Sequence, residues 1–395
     1  MNILLIHPHD IYSLQEPWTV RIVSLSKEFI KRGHQVKIIY FVLNSDKTRQ
    51  NSFHLDNVEC IPLKRSGGPL LYFRNLYAVI KITQWADFVH FQKCFHWAAI
   101  PALVAAYLKG KSIHYDWDDW EEKIWYESLR AHSFPSAIHI FIIGMFLKIL
   151  ERVIPNLVDT ISVSSRSLHK LALNYEVQNK RIFHAPVGAD LDFFPLCLNY
   201  DDLKEKYRPE NKKVVLYIGQ LHGAQYVDLF IKAANIVLHR YPEVLFMVVG
   251  EGFRFKSLKN LAAELGIENK VIFAGAVPHG QIPKYISFAD VCVACFKDTD
   301  AARCKSPLKI AEYLACGKAI VASNVGEVRN MVGGVGLLVK AGDYKEIAQG
   351  ILKILHDDLL KTEMEKRARR RAELKYNWAQ TAGNLLSAYE YVRKK

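Results

Sequence analysis

The sequence predicts two doubly wound α/β domains, each a largely parallel sheet with helices on both faces. Three observations carry that expectation. Runs of β-branched and apolar residues alternate with segments of helical period along almost all of the 395-residue chain, the pattern of parallel strands joined by crossover helices. That length exceeds what one hydrophobic core comfortably serves. A polar stretch with little apolar period, 196–212, divides the alternation into two series.

In the first series the strands fall at 2–7, 35–41, 86–91, 111–115, 160–164 and 181–186, with helical periods at 19–32 and 98–108. Continuous apolar runs such as Ile3-Leu4-Leu5-Ile6 fit strands covered on both faces. The second series places strands at 213–219, 244–250, 270–275, 290–296, 318–323 and 336–339. Its helices are expected at 226–240, 255–265, 307–315 and 345–355. The domains are thus expected at 1–195 and 213–375, with 376–395 a last helix returning to the first domain. Open sheets of this kind bind ligands beyond the carboxyl ends of their strands, and two facing domains would enclose a cleft.

Composition excludes several classes. The longest apolar run, 137–147, is broken by His139 and too short to cross a bilayer. The first residues lack the blocks of a signal peptide, so a cytoplasmic location is expected. Seven cysteines at no paired or metal-like spacing argue against zinc sites and disulfide frameworks. No G-x-G-x-x-G follows the first strand, which disfavours a dinucleotide cofactor.

The formal charge is +13, and its excess is uneven. The last 35 residues hold ten Lys/Arg against four Asp/Glu, with Lys366, Arg367, Arg369, Arg370 and Arg371 in one cluster. Such a cluster suits an anionic membrane surface or an anionic substrate, and equally a solvated helix face. Nucleic acid is not expected, because no zinc-finger spacing or RNP-like strand is present. The segment 136–158 is apolar nearly all round, which fits either core or an interfacial helix.

The chemistry concentrates in 303–326, R-C-K-S-P-L-K-I-A-E-Y-L-A-C-G-K-A-I-V-A-S-N-V-G. Ser306 is expected to cap a helix whose first residue is Pro307. Lys309 then sits in the first turn, where the helix dipole disfavours a cation by a few tenths of a kcal/mol to about 1 kcal/mol. A bound anion would reverse that balance, since free N–H groups, dipole and ammonium would converge on it. A snorkelling lysine is the plain alternative.

This segment resembles the nucleotide-sugar-binding segment of retaining GT-B glycosyltransferases of the family-4 type. R-G-H-Q-V (32–36), P-V-G-A-D-L-D-F-F (186–194), V-V-G-E-G-F (248–253) and Y-N-W (376–378) resemble further motifs of that family, in its order. The resemblance implies a GT-B fold, two Rossmann-like domains facing a central cleft. It further implies a hexosyl-type transferase that is retaining and metal-independent, with a nucleoside-diphosphate sugar as co-substrate and no cofactor. By the same resemblance Glu312 would hold the donor ribose, and Ser306, Pro307, Leu308 and Lys309 would contact phosphate or sugar. Gly250 and Glu251 would line the nucleoside pocket.

Three features depart from the family pattern. Cys304 stands where the family's E-x7-E pair has its first glutamate. G-Q-L-H-G-A-Q-Y (219–226) replaces G-R-L-x-x-x-K-G, so Gln220, and Gln225 or a neighbour, occupy the places of two phosphate-binding cations. Glu16-Pro17-Trp18 replaces a glycine-rich loop. Either Lys309, Lys305, Arg303 or His222 supplies the missing charge, or the chain is a non-catalytic GT-B-like partner subunit of a glycan assembly complex. A sugar-nucleotide epimerase is a third reading.

On the acceptor side, H-Y-D-W-D-D-W-E-E (114–122) follows a strand. Carboxylates and indoles at a strand's carboxyl end suit sugar hydroxyls and ring faces. Asp118 or Asp119 is the candidate for the reacting position. His114, Asp116 and Arg21 are candidates for the acceptor, Arg21 for an anionic one. The competing reading is an acidic helix start, with Asp119, Glu121 and Glu122 at a favourable dipole end. His7 and His9 could touch phosphate or acceptor, or be structural. The function expected is transfer to a glycan or lipid-linked acceptor in polysaccharide or glycoconjugate biosynthesis, on the inner face of the cell membrane.

Overall fold

A computed structural model describes residues 1–12, 17–42, 52–55, 57–65, 68–128, 134–207, 212–222 and 226–394. They form two compact units, Met1–Pro186 with Trp378–Lys395, and Val187–Asn377.

The first unit is built on eight strands, β1 (Asn2–His7), β2 (Gln35–Val42), β3 (Phe53–Leu55), β4 (Val58–Lys64), β5 (Phe88–Gln92), β6 (Ser112–Trp117), β7 (Thr160–Val163) and β8 (Ile182–His184). Their order is β3-β4-β2-β1-β5-β6-β7-β8. Every neighbouring pair is parallel except β3 with β4, an antiparallel edge. Leu4, Leu5 and Ile6 of β1 have no exposed surface, as a strand covered on both faces requires. Chain progress reverses direction between β1 and β5, so the segments following β1, β5 and β6 meet at a switch point.

The helices of this unit are α1 (Pro17–Lys31), α2 (Gly68–Thr83), α3 (His96–Lys109), α4 (Glu121–Ser128), α5 (Phe134–Leu157) and α6 (Arg166–Asn174). The C-terminal helix Trp378–Arg393 packs on the same unit. Its Tyr389 is fully buried, with the ring 4.2 Å from that of Phe88 and the hydroxyl 2.6 Å from His90 Nδ1.

The second unit holds a six-stranded, wholly parallel sheet of β9 (Lys213–Ile218), β10 (Val244–Val249), β11 (Val271–Gly275), β12 (Val291–Ala294), β13 (Ala319–Ser323) and β14 (Leu337–Val339). The order β11-β10-β9-β12-β13-β14 puts its switch point between β9 and β12. Its helices are α7 (Asp201–Tyr207), α8 (Val227–Arg240), α9 (Phe255–Glu264), α10 (Ile282–Phe288), α11 (Asp300–Cys304), α12 (Leu308–Ala315), α13 (Val328–Val332), α14 (Tyr344–Leu355) and α15 (Asp358–Leu374). Asp343 and Asp357 cap α14 and α15 through their side-chain oxygens.

The units divide at Pro186/Val187, ahead of the polar stretch 196–212 expected to link them. Tertiary hydrogen bonds explain the earlier boundary. The Val187 amide donates to Ser306 Oγ at 3.2 Å, and Arg369 Nη1 donates to the Phe194 carbonyl at 2.9 Å. The supposed linker carries α7, whose single buried residue, Leu203, is too sparse a signal to read as a helix.

The basic cluster is partly consumed inside this unit. Arg369 also donates to the Ala315 carbonyl, and Arg371 donates to those of Asn330 and Gly333. Lys366, Arg367 and Arg370 stay exposed, Arg367 beside Glu363.

Candidate active site

In the second unit, bare backbone meets a buried cation beyond the carboxyl ends of β9 and β10. Gly219 and Gly250 directly follow those strands, both at positive φ (143° and 140°). A Cβ at Gly250 would collide with the Gly219 carbonyl, and one at Gly219 would lie 2.5 Å from Lys309 Nζ. Only glycine permits this close approach of loop to loop and of lysine to loop.

Lys309 reaches this corner from the first turn of α12. Its Nζ donates to the Tyr217 hydroxyl at 2.8 Å and lies 4.1 Å from the centre of the Tyr217 ring. Among the described residues no carboxylate forms an ion pair with it, and burial pulls its pKa down to about 8. Pro307, in an extended conformation, occupies the cap position of α12 and offers no side-chain cap. The expected Ser306 cap is therefore corrected: its hydroxyl accepts from Val187, a partner 119 residues away. The helix start and the ammonium are left with unmet positive potential.

One turn on, Glu312 is buried rather than the solvent-facing acid that helical spacing also allowed. Burial pushes its pKa up to about 7, against the pull of Lys309. Its Oε1 lies 4.0 Å from His279 Nε2, and the His279 ring stacks on Phe193 at 5.1 Å with planes 7° apart. His279 and Phe193 were not singled out from sequence. Their meeting is tertiary, although the 186–194 motif contains Phe193.

The remaining donor-side candidates contribute unevenly. Glu251 is exposed and meets the first loop through its backbone, its carbonyl accepting from the Leu221 amide at 2.9 Å. Gln220 is half-buried, and Pro307 and Leu308 flank the start of α12. Gln225 lies outside the described residues. Arg303, a candidate for the missing phosphate charge, is already paired on the surface with Asp298 at 2.7 Å and Asp300 at 3.5 Å. His222 is exposed and stacks on Phe253.

In the first unit, the segments after β5 and β6 build a charge cluster. Lys93, at φ 63°, is 2 % exposed. Its ammonium lies 3.1 Å from Asp118 Oδ1 and 3.3 Å from Asp119 Oδ2, and it also bonds Glu121 Oε1. The three carboxylates approach one another closely enough to hold a cation, and the Lys93 ammonium supplies one. Burial lowers the Lys93 pKa, but Asp118, Glu121 and Asp119 together hold it well above the usual lysine value. One ammonium cannot balance three acids. Burial accordingly pushes Asp118 up, and Glu121 up to about 7. Asp118 also accepts from Gln92 Nε2 at 2.8 Å, and Asp119 is the most exposed of the three at 21 %.

Asp119 therefore keeps the most solvent access of three acids that share the Lys93 ammonium. The acidic helix start also holds: α4 begins with Glu121 and Glu122. Its free amides are taken by Glu151 of α5, which accepts from the Glu121 and Glu122 amides at 2.8 and 2.9 Å and from Trp117 Nε1 at 3.0 Å. Burial pushes Glu151 up to about 8. Neither Lys93 nor Glu151 was singled out from sequence; a lone acid in the apolar 136–158 segment was the available signal.

Arg21, Asp116 and His114 are corrected from acceptor contacts to internal supports. Arg21 and Asp116 are essentially fully buried and joined bidentately at 2.7 and 2.8 Å. Arg21 also donates to the Ala185 carbonyl, and Asp116 accepts from Ser162 Oγ at 2.5 Å. Burial would raise the Asp116 pKa, but Arg21 outweighs it and holds the carboxyl well below the usual range. His114 has no exposed surface, and its ring nitrogens bond Thr160 and Ser162. His7 is likewise enclosed, bonded to Gln92, and burial brings its pKa down to about 3. Glu16 lies outside the described residues.

The family described as glycosyl transferases group 1 matches residues 199–371, and glycosyltransferase family 4 matches residues 19–193. Between them they cover most of both units. The chain belongs to the GT-B glycosyltransferases of the family-4 type. The alpha-D-kanosaminyltransferase of Streptomyces kanamyceticus is 24% identical over 193 residues, 48% of this chain and 49% of its own length. The D-inositol 3-phosphate glycosyltransferase of Thermobispora bispora is 25% identical over 264 residues, 64% of this chain and 59% of its own. The chain spans about half the length of the curated relatives it matches. The Anabaena protein HepE, crystallised with UDP and glucose, superposes with a TM-score of 0.75 at 17% identity, covering 98% of this chain and 99% of its own. That likeness shows the GT-B fold.

Proposed function

We propose that this GT-B chain transfers a hexosyl residue from a nucleoside-diphosphate sugar to a glycan or lipid-linked acceptor, with retention and without a metal, in polysaccharide or glycoconjugate biosynthesis. The reading places it in the cytoplasm, peripheral on the membrane's inner face. The single observation carrying it is Lys309, a buried ammonium with no ion-pair partner among the described residues, at an uncapped helix start beside two obligatory glycines. That arrangement is complementary to the charge that grows on a leaving diphosphate. A charge-assisted bond there supplies about 1.5–3 kcal/mol.

In this reading the backbone at Gly219 and Gly250 lets the pyrophosphate approach, Glu312 accepts from the ribose hydroxyls, and Lys309 takes the leaving charge. Asp119, partly exposed and held by Lys93, faces the acceptor. HepE, with UDP and glucose bound, and the kanosaminyltransferase lend support by likeness. The partner-subunit reading draws on Gln220 and on Cys304, buried where the family pattern has an acid.

Proton NMR of donor hydrolysis tests the proposal. Each of UDP-, GDP-, ADP- and dTDP-hexose is incubated with the chain and the first anomer released is identified. Release of the donor's own anomer is expected. Release of the opposite anomer overturns retention, and no turnover together with no nucleotide binding favours the partner subunit.

A further inference from the structure

Among the described residues, the outer face of α5 is largely uncovered, its ring contacts being Phe141 with Tyr126 and Phe146 with His96. On this 24-residue helix Ile140, Leu147, Glu151 and Ile154 are buried. The opposite face carries Phe141, Ile142, Met145, Phe146, Ile149 and Val153, each 41–60 % exposed. A surface helix of a water-soluble domain carries its polar residues on that side. The apolar surface is also concentrated: of twenty exposed large hydrophobic residues described, thirteen lie on α2, α3 and α5. Single exposed apolar residues need no explanation, whereas a contiguous apolar face marks an interaction surface.

Charge identifies the occupant. Lys148 and Arg152 are exposed and lie along one edge of this face. The only acid of α5 is Glu151, which is buried and engaged by the start of α4. Neither α2 nor α3 contains an acid, while their exposed cations include Arg74, Lys81 and Lys109. A second copy docking α5 on α5 would set this face against another with cations and no acid to receive them. A sheet of anionic headgroups over hydrocarbon satisfies both features, pairing the cations and covering the apolar side chains.

We propose that the outer face of α5 is an interfacial anchor that lies in the headgroup region of an anionic bilayer. Phe141, Ile142, Met145 and Ile149 enter the acyl boundary, and Lys148 and Arg152 meet lipid phosphate. No helix among the described residues is long and apolar enough to cross a membrane, so α5 lies on the bilayer. The proposal rests on the membrane-proximal reading above and gives it a surface. It would set the first unit, with Asp119, beside the source of a lipid-linked acceptor.

Co-sedimentation of the full chain with vesicles tests it, using phosphatidylcholine alone and phosphatidylcholine with about 30 % phosphatidylglycerol. Binding to the anionic vesicles is expected, weakened by high salt. The pairs I142S/I149S and K148E/R152E should each lose more than about tenfold in vesicle affinity. Both pairs lie on the solvent side, so their thermal unfolding and UDP binding should match the parent chain. No binding by the parent chain, or binding untouched by I142S/I149S, overturns the proposal. So does a dimer in light scattering that I142S/I149S dissociates, which would make the face a contact between copies. Nucleotide binding is read separately, so loss of the anchor and loss of the transferase reading are distinguishable.

Discussion

Two buried lysines, Lys93 in the first unit and Lys309 in the second, stand beyond the carboxyl ends of their sheets in opposite company. Lys93 is ringed by Asp118, Asp119 and Glu121, which hold its proton firmly. Lys309 has a tyrosine hydroxyl and no ion pair among the described residues, and burial lowers its pKa to about 8. The same residue type thus does two jobs. A saturated ammonium is an internal counter-ion that orders acids. An unsaturated one is stabilised most by an anion that arrives from outside. Arg21 follows the pattern of Lys93, since bidentate pairing with Asp116 leaves it no capacity for a ligand.

The largest effect should come from breaking a saturated pair. Arg21→Ala leaves Asp116 buried without its partner, a loss of about 3–5 kcal/mol in unfolding free energy. Chemical denaturation checks it; a loss below about 1 kcal/mol would return Arg21 to the list of ligand contacts. Lys93→Met should cost about 2–4 kcal/mol at neutral pH, because three carboxylates then share one site. Protonating them relieves that repulsion, so the deficit should shrink at pH 5. A deficit independent of pH would mean that packing, and not charge, is lost.

Lys309→Met should do the reverse. Removing an unpaired cation from a helix start is expected to raise stability by a few tenths of a kcal/mol to about 1 kcal/mol while weakening nucleotide binding. A loss of stability would show that the ammonium serves the fold.

The smallest effect is the pH dependence of stability. Glu121 at about 7 and Glu151 at about 8 keep protons in the folded state that the unfolded chain has already released. Their contribution to stability therefore falls as pH rises from about 4.5 to 8. Lys309 has the opposite sign. Its folded pKa near 8 lies below the free value, so its burial cost is full below pH 8 and is relieved above it. Buried histidines such as His7 act in the opposite sense below about pH 6.5, so the effect is read as a difference. The melting temperature of Glu151→Gln relative to the parent chain should rise from pH 5 to 8, and a difference that does not change with pH would contradict the burial of Glu151.

Sequence reading reached the units unequally in the same physical sense. Strands such as Ile3–Ile6 and 244–249 are legible because both faces are buried and the apolar run is unbroken. The edge pair β3 and β4 is not, since Pro62 and charged residues interrupt its pattern. At the site, the donor-side segment around Lys309 and Glu312 is local, so motif and helix spacing located it. Ser306 was misread because its partner lies 119 residues away. Arg21 and Asp116 were misread for the same reason, being 95 residues apart. A charged residue in sequence carries no mark of whether its partner is protein or ligand.

The most direct test of the contrast is calorimetric titration of UDP, GDP, ADP and dTDP into the parent chain and into Lys309→Ala, without metal and then with magnesium. The account expects one diphosphate to bind without metal and Lys309→Ala to weaken it by about 1.5–3 kcal/mol, tenfold or more. Equal affinity in the two proteins, or no binding by any diphosphate, would contradict it.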